Sequence, residues 1–188
     1  MTCDPIGEAD DLSLVRSYQQ SGCERAREIL VARHVGAVRN LIYSMVLDAN
    51  MADDLTQETW LKALRHLPRF NGQAAFSTWL FRIAMNTTYT CLARSRRIPQ
   101  SLESQHEDEL GTHMPPDREA LRAELDAAIA ASLSALSPKL RGAIVLTTVQ
   151  GLSTLEAAKI EGCSIGTMYW RIHTARKLMQ KRLREWLE

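Results

Sequence analysis

The chain has 188 residues, 45% of them hydrophobic, and a formal net charge of +1. That length holds one large or two small domains with an ample core, and no apolar run approaches the ~20 residues of a membrane span. Four cysteines (Cys3, Cys23, Cys91, Cys163) without a C-x-x-C pair, and five dispersed histidines, argue against a disulfide framework, a zinc knuckle or a metal centre. Cys3 and Cys23 stay open as redox or metal sensors, against the plainer reading of incidental thiols. The N-terminus lacks a signal peptide's basic start and apolar core, so a cytoplasmic protein is expected.

Helical periodicity dominates, with no alternating strand pattern and no internal repeat. A first helix is predicted from Leu12 to Gln20, broken by Ser21-Gly22. Glu24–Leu47 reads as a long helix with Ile29, Leu30, Ala37, Leu41 and Met45 inward, and Asp48-Ala49-Asn50 as a turn. The next helix, Asp53–Leu67, stops at Pro68. It turns Trp60, Ala63, Leu64 and Leu67 to the core and leaves Asp54, Gln57, Glu58 and Leu61 outside. First-turn acids complementing the helix dipole are the plain reading of that face; a protein-docking surface is the functional one.

Arg69–Ala75 is a loop, and Phe76 to about Arg97 is helical, burying Leu80, Ile83, Ala84, Thr87 and Cys91. Trp79, Asn86, Thr90 and Arg97 run along one flank, with Arg82, Arg94 and Arg96 nearby. An aromatic beside an amide and arginines suits a nucleic-acid strand whose bases are unstacked, although Trp79 reads equally as core. Ile98–Asp117, with three prolines and clustered acids, reads as a linker. Between Ser101 and Glu119 there are six Asp/Glu against one Arg.

Beyond it, Arg118–Leu136 is helical. Ser137-Pro138 restarts the chain as a cap followed by Pro at the first helical position, leading a helix to about Val149. Then Gly151–Lys177 carries two short helical patterns around Gly162-Cys163. Ser153 and Glu156 form a capping box, and Ser164 caps the second helix. That is a helix-turn-helix signature, the mark of a DNA reader. On the second helix Ile165, Met168, Ile172, Ala175 and Met179 share an inward stripe. Trp170, His173, Thr174 and Lys177 lie opposite, flanked by Tyr169, Arg171 and Arg176. From Arg171 to Arg184 there are six Lys/Arg and no acid, so local charge favours a polyanion where the net charge does not. The bland alternative is an amphipathic helix with a solvated basic face.

Together these motifs resemble the extracytoplasmic-function (ECF) group of RNA polymerase sigma factors in the sigma-70 superfamily. The resemblance spans roughly Leu30 to Leu183. It rests on Ala52–Trp60 (ADDLTQETW), Phe76–Asn86 (FSTWLFRIAMN), Leu136-Ser137-Pro138, Gly151-Leu152-Ser153, and Ile165-Gly166-Thr167 through Arg171–Arg176 (RIHTAR). It implies an all-α chain: an N-terminal bundle at 1–97 binding core polymerase and the minus-10 element, a flexible acidic linker at 98–117, and a helix-turn-helix domain at 118–188 binding the minus-35 element.

The resemblance further implies that Asp54, Gln57, Glu58 and Leu61 dock on the polymerase β′ clamp helices. Arg69, Phe70, Asn71, Trp79, Arg82, Asn86, Thr90 and Arg97 would serve the minus-10 strand. Thr167, Tyr169, Trp170, Arg171, His173, Thr174, Arg176 and Lys177 would serve the minus-35 element. Implied partners are core RNA polymerase through its β′ and β subunits, promoter DNA and an anti-sigma factor, with no cofactor, metal or enzymatic activity. Many relatives carry Arg or Lys at Tyr169, Ser at Trp170 and Arg at Thr174, so a shifted minus-35 preference is expected. Two other readings stand beside this one: a sigma mimic that binds an anti-sigma factor without reading promoters, and a regulator sharing only the helix-turn-helix.

Overall fold

A computed structural model of the chain describes residues 9–95 and 116–187, without the side chains of 116–121 and 185–187. Among the described residues the regular elements are helices: α1 (Asp11–Ser21), α2 (Glu24–Val46), α3 (Ala49–His66), α4 (Phe76–Ser95), α5 (Pro116–Ser134), α6 (Pro138–Ile144), α7 (Thr154–Glu161) and α8 (Ile165–Leu187). A 3-10 turn, Leu67–Arg69, follows α3, and a π turn, Val145–Val149, follows α6. The linker expected at 98–117 lies outside the described residues except for Pro116 and Asp117, which open α5. Arg97 and Cys3 also lie outside them.

Local chemistry sets the boundaries. The Asp10 carboxylate caps α1 by accepting from Ser13 N–H at 2.8 Å, and Gly22 ends the helix with φ 64°. The α2–α3 reversal is tighter than expected. Leu47 itself takes the left-handed conformation, φ 59°, which is uncommon for a residue with a side chain. Asp48 then caps α3 through Met51 N–H at 2.7 Å. Asp53 and Asp54 therefore sit beyond the first turn, which removes the helix-dipole reading of those acids. Arg39 bonds Asp53 instead and holds its carboxyl below the usual carboxylate range. Ser137 makes no side-chain cap bond, so Pro138 at the first turn opens α6 without it.

The first half is organised around α2, whose Leu30, Val38, Leu41, Ile42 and Met45 are buried; the expected Ile29 and Ala37 are only half-buried. The second half does not stand apart. Leu80, Phe81 and Met85 of α4 share one apolar cluster with Leu146, Ala157, Ile160 and Met168. Leu47 packs on a second cluster of Leu133, Leu136, Ile144 and Ala175.

Arg141 of α6 is buried between the halves. It donates Nε–H to Leu133 O at 2.8 Å and Nη2–H to Ser134 O at 2.7 Å, and its Nη1 reaches Met45 O. These carbonyls belong to the last turns of α5 and α2, where unpaired carbonyls and the helix dipoles favour a cation. One side chain thus ties the spent ends of two helices together across the joint.

Removing it leaves those carbonyls buried without their donor. Arg141→Ala should lower unfolding free energy by about 2–4 kcal/mol in chemical denaturation, with loss of the second half's docking visible by limited proteolysis. At the helix-turn-helix, Ser153→Ala should cost about 1 kcal/mol. Ser153 holds the Glu156 carboxyl below its usual range. The part carried by the carboxylate is present above about pH 4.3 and lost as pH falls through the folded pKa, so the gap between wild type and variant should narrow in acid to what the Ser153 Oγ cap of Glu156 N–H contributes.

Candidate nucleic-acid interface

The helix-turn-helix forms as its caps dictate. Ser153 Oγ accepts from Glu156 N–H at 3.3 Å, and Glu156 Oε2 accepts from Ser153 N–H at 2.9 Å, a reciprocal box. Gly162 turns the corner at φ 61°. Ser164 Oγ accepts from Thr167 N–H at 3.1 Å, starting α8. Met168, Ile172 and Ala175 are buried as the wheel requires and Met179 is half-buried. Ile165 is not part of that stripe: at the first position of α8 it is exposed.

On the outer face Tyr169 and Trp170 are 60% and 61% exposed, with His173, Arg176 and Lys177 also exposed and Thr167 and Thr174 half-buried. A tyrosine–tryptophan pair at this exposure contributes little to the core.

Arg171 behaves differently from its sequence role. Its Nη1 donates to Glu161 Oε2 at 3.0 Å, and its side chain is only 17% exposed. Glu161 ends α7, and its carboxylate is completely buried. Its other oxygen accepts from Tyr89 Oη of α4 at 2.7 Å, and Lys139 of α6 donates to Oε2 at 3.0 Å while lying 3.8 Å from the Tyr89 ring centroid. Burial and then the adjacent carboxylate raise the Tyr89 pKa, so the phenol keeps its proton and donates. Tyr89, Lys139 and Glu161 were absent from the sequence-derived sites. The available signal was an acid in the last turn of α7, where the dipole disfavours it.

Gly142 makes this joint possible. A Cβ there would lie 2.3 Å from Tyr89 Oη and 2.8 Å from Met85 Cε. Arg82, exposed on α4, comes close to the same corner, with Nη2 3.7 Å from where a Cβ of Gly162 would sit.

A second aromatic group forms at the loop after α3. The Trp79 ring is tilted against its neighbours, with its centroid 5.0 Å from Phe70 and 5.6 Å from Phe76, and His34 lies 5.3 Å from Phe76. Trp79 is half-buried, so it is partly core and partly surface. Phe70 is buried and forms the floor of this group, not its exposed lip. Gln19, which the sequence did not single out, donates to the carbonyls of Leu67 and Phe70, both at 2.9 Å, and pins the loop from α1. Arg69, Asn71, Asn86 and Thr90 are exposed. Asn71 Oδ1 accepts from Gln73 N–H at 3.1 Å, shaping the turn.

On α3, Asp54, Gln57, Glu58 and Leu61 share the outer face as expected, with Leu61 68% exposed. Glu58 pairs with Lys62 at 2.7 Å, and Lys62 also donates to Thr87 of α4. Leu61 is the large apolar side chain of this face, set among the exposed carboxylates of Asp54 and Glu58. Of the cysteines, Cys91 and Cys163 are free thiols. Among the described residues no group of three or more His, Cys, Asp or Glu is placed to hold a metal ion.

Two family descriptions match the chain: Sigma-70 region 2 over residues 30–98 and Sigma-70, region 4 over residues 126–179. The RNA polymerase sigma-H factor of Pseudomonas aeruginosa is 37% identical, over 95% of this chain and 96% of its own. The ECF RNA polymerase sigma-E factor of Haemophilus influenzae is 34% identical, over 92% and 95%. Among solved structures, CnrH in complex with the cytosolic domain of CnrY aligns with TM-score 0.70 and 31% identity, over 95% of this chain and 99% of that one. The sigma factor RpoE from Bartonella quintana, in complex with the anti-sigma factor NepR, aligns with TM-score 0.64 and 26% identity, over 84% and 96%.

If Glu161 joins the halves, Tyr89 and Glu161 must be energetically coupled. A double-mutant cycle with Tyr89→Phe and Glu161→Gln should return a coupling of about 1 kcal/mol or more in chemical denaturation. Additive effects would show that the contact contributes nothing.

Proposed function

The chain belongs to the sigma-70 family of RNA polymerase sigma factors, in its extracytoplasmic-function group, and from that premise we propose how its surfaces divide the work. It is an alternative sigma factor: it binds core RNA polymerase and directs promoter-specific initiation, under control of an anti-sigma factor. The finer assignments follow. Residues 1–97 act as the polymerase and minus-10 module and 118–188 as the minus-35 module, with the acidic segment between them as tether.

The α3 face of Asp54, Gln57, Glu58 and Leu61 docks on the β′ clamp helices. Leu61 supplies the apolar centre and the carboxylates the polar surround. Arg69, Asn71, Asn86 and Thr90 are accessible around Trp79, whose half-buried ring, backed by Phe70 and Phe76, offers a π-surface to an unstacked base. Arg82 joins them in holding the strand's phosphates. Arg176 and Lys177 anchor phosphates upstream, while Tyr169, Trp170, His173 and Thr174 face base edges. Polymerase and promoter place the protein in the cytoplasm; no helix among the described residues is long and apolar enough to cross a membrane. It acts by binding alone, with the bond-making left to the polymerase.

The observation that carries this reading is the outward Tyr169–Trp170 pair on a doubly capped helix-turn-helix, flanked by cations and held on one chain with the α3 docking face. Run-off transcription with core polymerase on a randomised promoter library tests it. Promoter-dependent transcripts sharing two sequence blocks are expected; none in the absence of inhibitor would favour the sigma mimic.

The base-reading and phosphate roles also separate. Arg176→Ala should weaken every promoter alike and lower the slope of log K against log salt by about one. His173→Ala or Trp170→Ala should change which upstream blocks are selected. Equal loss on every promoter for the Arg176 and His173 variants would contradict the assignment.

A further inference from the structure

The outward chemistry of α8 changes along its length. Over its first two turns the exposed side chains are Ile165, Tyr169 and Trp170, with Gly166 leaving the backbone open between them. Thr167 Oγ1 is engaged by Ser164 Oγ at 2.8 Å. The guanidinium in this stretch, Arg171, is drawn aside by Glu161, which Tyr89 and Lys139 hold in place. The next cations, Arg176, Lys177, Lys181 and Arg182, come in later turns and are exposed.

A recognition helix brings its N-terminal residues to the base edges. Guanine offers N7 and O6, for which arginine or lysine is the usual partner; thymine alone of the four bases carries an apolar group in the major groove, its 5-methyl. A helix start with an isoleucine, two exposed aromatic ring faces and its guanidinium withdrawn matches the methyl and leaves guanine without its usual donor. The cations further along supply phosphate anchoring that carries no sequence information.

We propose that this sigma factor reads its upstream promoter element through thymine methyl groups, packed against Ile165, Tyr169 and Trp170, with Arg171 held out of base contact by Glu161. The inference rests on α8 being the upstream reader and names the base chemistry it takes. Cations without an intervening acid from Arg171 to Arg184 favour DNA over a protein as the occupant of this face.

The test uses holoenzyme reconstituted with core polymerase and promoters recovered from the library. Each thymine of the upstream block is replaced in turn by deoxyuridine, which removes only the methyl. At one or more positions deoxyuridine should weaken binding about three- to fivefold, the loss expected for one buried methyl. Holoenzyme carrying Trp170→Ala should bind wild-type promoter less tightly and lose that discrimination at its position. Substituting 7-deazaguanine for guanines in the block should change binding by no more than about twofold, since no bidentate arginine is engaged.

Indifference to deoxyuridine at every position, or a large 7-deazaguanine effect, overturns the proposal while leaving the sigma assignment intact. Unchanged promoter binding by Trp170→Ala also overturns it and marks the aromatic pair as a protein-docking patch. Absence of any promoter-specific binding by wild-type holoenzyme would instead remove the reading of α8 on which the proposal rests.

Discussion

A buried carboxylate left alone costs several kcal/mol, and the Glu161 side chain is completely buried. Its position is tenable because three donors from three helices converge on it: Tyr89 from α4, Lys139 from α6 and Arg171 from α8. That requirement fixes much else. It brings the two halves together along α4, and it needs a residue without a Cβ at Gly142 so that Tyr89 can approach. It also sets which side chains of α8 remain available to a ligand, because meeting Glu161 takes Arg171 away from the outer face.

Arg141 completes the joint with the opposite charge. Where Glu161 is surrounded by donors, Arg141 is surrounded by carbonyls from the ends of α2 and α5. The two buried ions specify how the halves meet more sharply than apolar packing does, since each has directional partners on separate elements. A sigma factor must present polymerase-docking, downstream and upstream surfaces from one chain. Here the proposed docking face lies on α3, the aromatic group spans the loop after α3 and the start of α4, and α8 carries the proposed upstream face. Helices with side-chain caps set the register of each surface, and loop placement is left to a few contacts such as Gln19 on the carbonyls of Leu67 and Phe70.

What the sequence made legible was local. The capping box at Ser153–Glu156, the glycine turn and the 3.6-residue periodicity gave the helix-turn-helix and its exposed aromatic pair, because those signals act within a few residues. The outer face of α3 was readable for the same reason. The start of α3 was not, since it depends on Leu47 adopting a conformation usually reserved for glycine. Ile165 fitted the wheel, yet it precedes the point where α8 meets the core. Arg171 was read as a surface group from spacing, and Phe70 as a minus-10 contact from the family resemblance. Arg171 is turned by an acid ten residues earlier on α7, and Phe70 by rings on α4. The joint between the halves could not be read at all, because Tyr89 and Glu161 are 72 residues apart.

The central claim is that one chain grips promoter DNA at two separate places through its two halves. Hydroxyl-radical footprinting of the reconstituted holoenzyme tests this most directly, comparing wild type with a Trp170→Ala/His173→Ala double variant. Two protected blocks are predicted for wild type, with only the upstream block fading in the variant. A single block, or equal fading of both, would contradict the account.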